Sequence, residues 1–359
     1  MSPRELTSLL AALMGHGASR RTVRQLIGAS WRAGGSTDDA VAQLRKQYEL
    51  ELPRKSDVVR EMRELDRRGI AAIGLLDNAY PPLLAATPDP PLALFIQGEL
   101  SALSRPMSLA VVGSRRASAA GRQLARTLAV DLGRSGFAII SGLASGIDGC
   151  AHRGALDAAA VTVAVMGCGH CHTYPPSHRG LASDLVSASG ALVSEYPPST
   201  IPFKSNFPER NRIISGLAAA VVVVEATVRS GSLITARMAL EQGRDVFAVP
   251  GPVHSGGHGG CHRLIKQGAA LVESALDVLE AFGLEAPAAS ELELPSDPVL
   301  AQVLAAMSAD VATLHDIVES LGMPVEEVLG ALAELELEGF VETNRDGYIR
   351  RPRTTRDAR

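Results

Sequence analysis

The sequence lacks any apolar run near the roughly 18 residues that a membrane-spanning helix needs. Its first residues mix polar and charged side chains where a secretory signal requires an apolar centre. The expectation is therefore a cytoplasmic protein with no membrane partner. A dominant charge is missing too: 35 Lys and Arg stand against 39 Asp and Glu, a formal net charge of −4. That balance excludes a uniformly basic coat for nucleic acid and requires any polyanion site to be a local cationic patch. Cysteine is sparse, at Cys150, Cys168, Cys171 and Cys261. Cys168-Gly169-His170-Cys171 has the spacing of a redox dithiol, and Cys150, His152, His172, Cys261 and His262 have side chains that zinc accepts. The dithiol, however, follows a late strand pattern and runs into Tyr174-Pro175-Pro176, and a second Cys-x-x-Cys pair is absent. Reduced thiols, no metal and no cofactor are expected.

The chain does have enough apolar residues, 46% of 359, to build two or three domains. Residues 1–68 read as short helices with turns at Gly15-His16-Gly17 and Gly34-Gly35, a sterile-alpha-motif or helix-hairpin-helix-like module. Residues 69–104, with Tyr80-Pro81-Pro82 and Pro88-Asp89-Pro90-Pro91, read as a Pro-rich extended tether. Over 105–285, apolar runs at Leu109 to Val112, Phe137 to Ile140, Val161 to Met166, Ala191 to Ser194, Val221 to Val224 and Val246 to Val249 are separated by helix-length segments. Continuous rather than alternating apolarity marks strands covered on both faces. This predicts an α/β, Rossmann-like, doubly wound and mostly parallel sheet. An Ala/Pro/Glu linker (286–296) then leads to three helical patterns and a possible hairpin around Asn344 to Gly347, a winged-helix-like domain over 297–350, before a basic tail, 351–359. Glu326, Glu327, Glu334, Glu336 and Glu338 on its third helix would repel phosphates, so this domain is expected to meet protein rather than DNA.

Open parallel sheets bind ligands beyond the carboxyl ends of their strands, which directs attention to the loops. Gly113-Ser114-Arg115-Arg116 follows the first parallel strand. Gly113 permits close backbone approach to an anion, Ser114 supplies a hydroxyl and Arg115 a phosphate-pairing cation. The further glycines and the strand-end acid of a dinucleotide site are missing, and Ser141 stands where the acid belongs. Ser141-Gly142 is either a capped strand-to-helix turn or a phosphate contact; Ser230-Gly231-Ser232 offers anion donors before another helix. Glu225, at the end of the most apolar strand, is a lone carboxylate without a partner acid or His nearby in sequence.

The most informative stretch is Phe207-Pro208-Glu209-Arg210-Asn211-Arg212-Ile213-Ile214, where Pro208 suits a first helical turn. At helical spacing Phe207, Arg210 and Asn211 share one face while Ile213 and Leu217 turn toward a core. A ring, cations and an amide on one face suit a single nucleic-acid strand. The competing reading is a helix end whose Phe is buried and whose Arg residues pair carboxylates.

Taken in order, Gly113-Ser114-Arg115, Ser141 through Asp148, Phe207 through Ile214 with Gly216-Leu217, Glu225-Ala226 with Ser230 through Ala236, and Gly243 through Gly251 resemble the DNA-processing protein A family, DprA or Smf. The resemblance implies a homodimeric, non-enzymatic protein that binds single-stranded DNA in natural transformation, protects it and delivers it to the recombinase RecA. It also implies strand-binding roles for Arg115, Lys204, Phe207 and Arg210. Ser114, Asn211 and Arg212 complete the expected set. Three to four phosphate contacts predict a log–log salt slope of about −2 to −3 per protomer. His262, where the family has Asn, and Gly169-His170-Cys171-His172, where it has a more apolar segment, receive no role. The alternative is a nucleotide N-glycosidase-like enzyme using Glu225 on a sugar.

Overall fold

The computed structural model describes residues 1–254, 256–284, 295, 297–307, 312–344 and 347–350. Four helices open the chain: α1 (Pro3–Met14), α2 (Arg20–Arg32), α3 (Thr37–Tyr48) and α4 (Lys55–Arg68). Ser2, Ser19 and Ser36 start the first three by accepting backbone N–H bonds from Glu5, Thr22 and Asp39. Leu9, Val23, Ile27 and Leu44 form their shared core. Leu10, Val58 and Leu65 pack instead with Ile70 and Phe95 of the sheet, so the helical module is docked on its neighbour.

Next come β1 (Ile70–Gly74), α5 (Pro82–Ala85), β2 (Ala93–Gly98), β3 (Ser108–Val112), α6 (Ala119–Arg134), β4 (Ala138–Ser141), α7 (Ile147–Asp157), β5 (Thr162–Val165), α8 (Arg179–Ser187) and β6 (Ala191–Ser194). The unit is completed by α9 (Asn206–Leu217), β7 (Ala220–Val223), α10 (Ser232–Glu241), β8 (Asp245–Ala248), α11 (Gly259–Lys266), β9 (Ala270–Leu271) and α12 (Ala275–Ala281). The nine strands lie in the order β1-β2-β6-β5-β4-β3-β7-β8-β9. From β6 to β9 every pairing is parallel. Leu109, Val111, Ile139, Val163, Val221 and Val222 are wholly buried, as strands with helices on both faces require.

Residues 69–104 are not the expected tether. β1 and β2 add two antiparallel strands to the sheet edge, with Phe95 opposite Ser194 and Ile96 opposite Val193. The prolines are confined to the connection, where they cost no ladder bond. There the buried Tyr80 hydroxyl donates to the Pro91 carbonyl at 2.8 Å and closes the loop on itself.

Successive strands run outward from β3 to β4, β5 and β6 on one side, and resume at β7 on the other. The loops after β3 and β7 therefore diverge, and the crevice of the doubly wound sheet opens between them. The Ser114 N–H donates to the Glu225 carbonyl at 2.7 Å across its floor.

A second unit begins at Leu284. It holds α13 (Pro298–Ala306), α14 (Leu314–Leu321), α15 (Val325–Leu337), β10 (Val341–Asn344) and β11 (Gly347–Arg350), the last two antiparallel, with Ala312 bridged to Tyr348. Leu300, Val303, Ile317, Val328, Leu332, Leu335 and Phe340 form its core. Three helices followed by a hairpin make a winged helix. The five glutamates of the third helix are exposed. The tail and nearly all of the linker lie outside the described residues. Among the described residues no helix is long and apolar enough to cross a membrane.

Candidate nucleic-acid interface

The start of α9 is held at the carboxyl edge of the sheet by Asn206, whose side-chain amide donates to the Gly167 carbonyl at 3.1 Å. Gly167 follows β5, and a Cβ there would lie 2.9 Å from the Phe207 ring, so the missing side chain is what lets that ring approach the backbone closely. Phe207 is half-buried. The Arg115 guanidinium carbon, in the loop after β3, lies 5.1 Å from the Phe207 centroid. The Tyr174 ring, 44% exposed, lies 5.1 Å away on a tilted plane. Arg115 is delivered by a loop packed onto Gly146, whose φ of 80° and whose contact with the Ser114 carbonyl leave no room for a side chain. The Ser114 hydroxyl accepts from the Arg116 N–H at 3.1 Å, leaving its hydrogen to donate. Lys204 is exposed in the turn before α9. Among the described residues neither Arg115 nor Lys204 meets a carboxylate. The structure thus brings together Ser114, Arg115 and Phe207, with Lys204 one turn away along the chain.

Arg210 does not join them. It is 3% exposed, and its Nη1 donates to the carbonyls of Gly142, at 2.8 Å, and Val165. Burial holds this guanidinium down, to about 10, against the opposing pull of the Asp148 carboxylate. Burial likewise raises Asp148, which Arg210 and the Gly142 N–H counter. Arg210 is a clamp on the ends of β4 and β5, and its expected phosphate role is corrected on that ground.

Arg212, 6% exposed, is also structural. It grips both Glu195 oxygens, at 3.1 and 2.6 Å, and reaches Asp89 at 3.3 Å. Arg24 of α2 pairs with Asp89, Glu195 and Glu209. The resulting network staples the helical module and the β1–β2 connection to α9. Arg20 adds a bond to Asn206 at 3.2 Å while lying over the Tyr196 ring.

The expected phosphate donors divide in the same way. Ser141 is fully buried and spends its hydroxyl on the Val111 carbonyl at 2.6 Å. Gly142 gives its N–H to Asp148 and its carbonyl to Arg210. Neither can meet an anion, so both are corrected to parts of a strand-end turn. Gly113 is half-buried beside the crevice floor. Ser230 and Ser232 bond each other at 2.7 Å next to the exposed Gly231, and Asn211 is half-buried with its amide on the Gly231 carbonyl at 3.3 Å. Asn211 thereby joins the Ser230–Ser232 turn to α9, one helical turn after Phe207.

Glu225 is 4% exposed and caps α6. Its oxygens take the Ser118 N–H at 3.0 and 3.2 Å and the Ser118 hydroxyl at 2.7 Å. A helix N-terminus with its dipole is a sufficient reason for a carboxylate there. The four cysteines are free. Cys168 points its thiol to the His172 carbonyl and Cys171 to Glu64, and burial pushes Cys168 up to about 11 and raises Cys171. A reactive dithiol needs the opposite shift. Sequence reasoning missed Tyr174. An aromatic before two prolines reads as loop furniture, and only the return of this loop onto Phe207 gives it a role.

The fold and the site together define a class: a Rossmann-like α/β protein with a winged-helix unit, presenting cations and rings at its strand-end crevice. A family model described as DNA recombination-mediator protein A matches residues 71–283, and one described as the DprA winged helix domain matches residues 285–347. Protein Smf of Escherichia coli K12 is 45% identical over 343 residues, 90% of each chain. The solved DNA processing protein A of Streptococcus pneumoniae superposes with a TM-score of 0.66 at 34% identity, covering 78% of this chain and 98% of that one. The DNA processing protein A of Helicobacter pylori, solved to explain its single-stranded DNA binding mode, gives a TM-score of 0.54 at 27% identity over 59% of this chain and 95% of that one. The chain belongs to the DNA-processing protein A family, DprA or Smf.

Proposed function

We propose that this chain binds single-stranded DNA at the crevice edge formed by Ser114, Arg115, Lys204 and Phe207, with Tyr174 as a second ring. The observation that carries the reading is the Arg115–Phe207–Tyr174 assembly, in which a cation and a second ring each lie 5.1 Å from the Phe207 ring at the open end of a parallel sheet. A guanidinium plane and an aromatic ring are both surfaces on which an unpaired base stacks. The relative solved to explain its single-stranded DNA binding mode supports the same ligand class. We further propose that the protein is a non-enzymatic, cytoplasmic homodimer that protects incoming strands and passes them to RecA in natural transformation. The capping role of Glu225 supports binding over sugar chemistry.

With Arg210 and Arg212 consumed internally, Arg115 and Lys204 remain of the four expected cations. The expected log–log salt slope is then about −1.4 per protomer, below the range expected for three to four contacts. Fluorescence anisotropy with oligo-dT over a salt series tests this. Arg115→Ala with Lys204→Ala should weaken binding and flatten the slope; wild-type affinity in that double variant overturns the assignment.

A further inference from the structure

Beside Tyr174 lies a cleft of about 400 Å³, whose lining includes Arg68, His172, Tyr174, Pro176, Arg179 and Pro202. Its size falls at the lower end of the range for small-ligand sites, enough for one nucleotide. The Tyr174 ring is shared: it packs beside Phe207 and also walls this cleft. Anything stacked along Phe207 and Tyr174 therefore continues into it. Pro202, two residues before Lys204, extends the wall.

The cleft's charge balance is positive. Arg68 is tied to Glu64 at 3.0 Å and to the His170 carbonyl, and Glu64 is further neutralised by Arg67. Glu61, the other nearby carboxylate, is buried and accepts from the Ser199 N–H. Arg179, at the start of α8, is exposed and meets no carboxylate among the described residues. A polar imidazole, a phenol ring and an uncommitted guanidinium thus surround a space adjoining the proposed strand site.

We propose that this cleft is a second nucleotide subsite for the same strand, in which Arg179 pairs the phosphate and Tyr174 with His172 contacts the base. The proposal rests on the reading that the strand binds at Phe207. It gives the His170-to-Tyr174 segment a function and makes α4 of the helical module part of the DNA path through Arg68. Counting Arg179 brings the cations to three and the full-length slope to about −2.1.

The test compares Arg179→Ala with Arg115→Ala, each against dT4 and dT12, in the full chain. Arg179 is exposed and structurally uncommitted, so its removal leaves folding intact, which the melting temperature checks. The expected result is about fivefold weaker binding of dT12 at low salt and a slope reduced by about 0.7, one phosphate contact. Binding of dT4 should be unchanged, whereas Arg115→Ala should weaken both oligomers. Unchanged dT12 binding in Arg179→Ala, with Arg115→Ala impaired, overturns the cleft and leaves the Phe207 site standing. Equal losses on dT4 and dT12 in Arg179→Ala overturn a separate subsite. If neither variant loses affinity, both readings fall. As a readout independent of affinity, dT12 carrying one 5-iododeoxyuridine at successive positions should crosslink to His172, which lines only the cleft, at some position. Crosslinks confined to the Phe207 side at every position overturn the proposal.

Discussion

Replacing Arg210 with Ala separates a structural guanidinium from a DNA-binding one. In the native protein the side chain satisfies the carbonyls of Gly142 and Val165 and neutralises the buried Asp148. Its removal leaves an uncompensated buried carboxylate, a change that typically costs about 3–5 kcal/mol, part of which Asp148 recovers by binding a proton. Unpaired strand-end carbonyls add a further cost, so about 4 kcal/mol is the expected loss. For a unit the size of Met1–Gly283 this corresponds to a fall in melting temperature of roughly 8 °C. Urea unfolding followed by circular dichroism measures the loss directly, with an unchanged m value if the unfolded state is unaffected. Arg210→Lys, with one ammonium for two carbonyls, should fall between the two. At a temperature where the variant is folded, its oligo-dT salt slope should match wild type. The reasoning is refuted if Arg210→Ala melts with the wild type while its slope drops by about 0.7, the signature of a lost phosphate contact.

Phe207→Ala should weaken oligo-dT binding by roughly 1–3 kcal/mol with little change in salt slope, because stacking releases no counterions; anisotropy titrations at several salt concentrations distinguish the two effects. Glu225→Gln should lower stability by about 1–2 kcal/mol through a weaker cap on α6 and leave strand binding intact. Wild-type protein incubated with nucleoside monophosphates should release no free base by chromatography; release that Glu225→Gln abolishes would establish the glycosidase reading. Burial holds His152 down to about 3 and His170 down to about 4. Between pH 6.5 and 4 these two histidines therefore bind more protons in the unfolded chain than in the fold, and their contribution to stability falls as pH falls. His170 alone contributes on the order of 3 kcal/mol to that decline, so His170→Gln should make unfolding free energies measured from pH 7 to 4 less steep.

The sheet was legible because its strands are continuous β-branched runs, and a run covered on both faces admits few other folds. The motifs after those runs were legible too, since strand ends of an open parallel sheet are where ligands go. The edge strands β1 and β2 were hidden by the prolines between them, which dominate the local signal although they occupy only the connection. Along α9, helical spacing placed Phe207 and Arg210 on one face, but periodicity does not say what that face meets. The partners of Arg210 come from Gly142 and Val165, brought together only by strand pairing, and those of Arg212 from Asp89 and Glu195. Sequence thus determined the fold class, the family and the loops from which a site is drawn. Tertiary structure decided which cations remain solvent-facing, because a guanidinium is committed or free according to the carbonyls and carboxylates that distant segments bring within hydrogen-bonding reach.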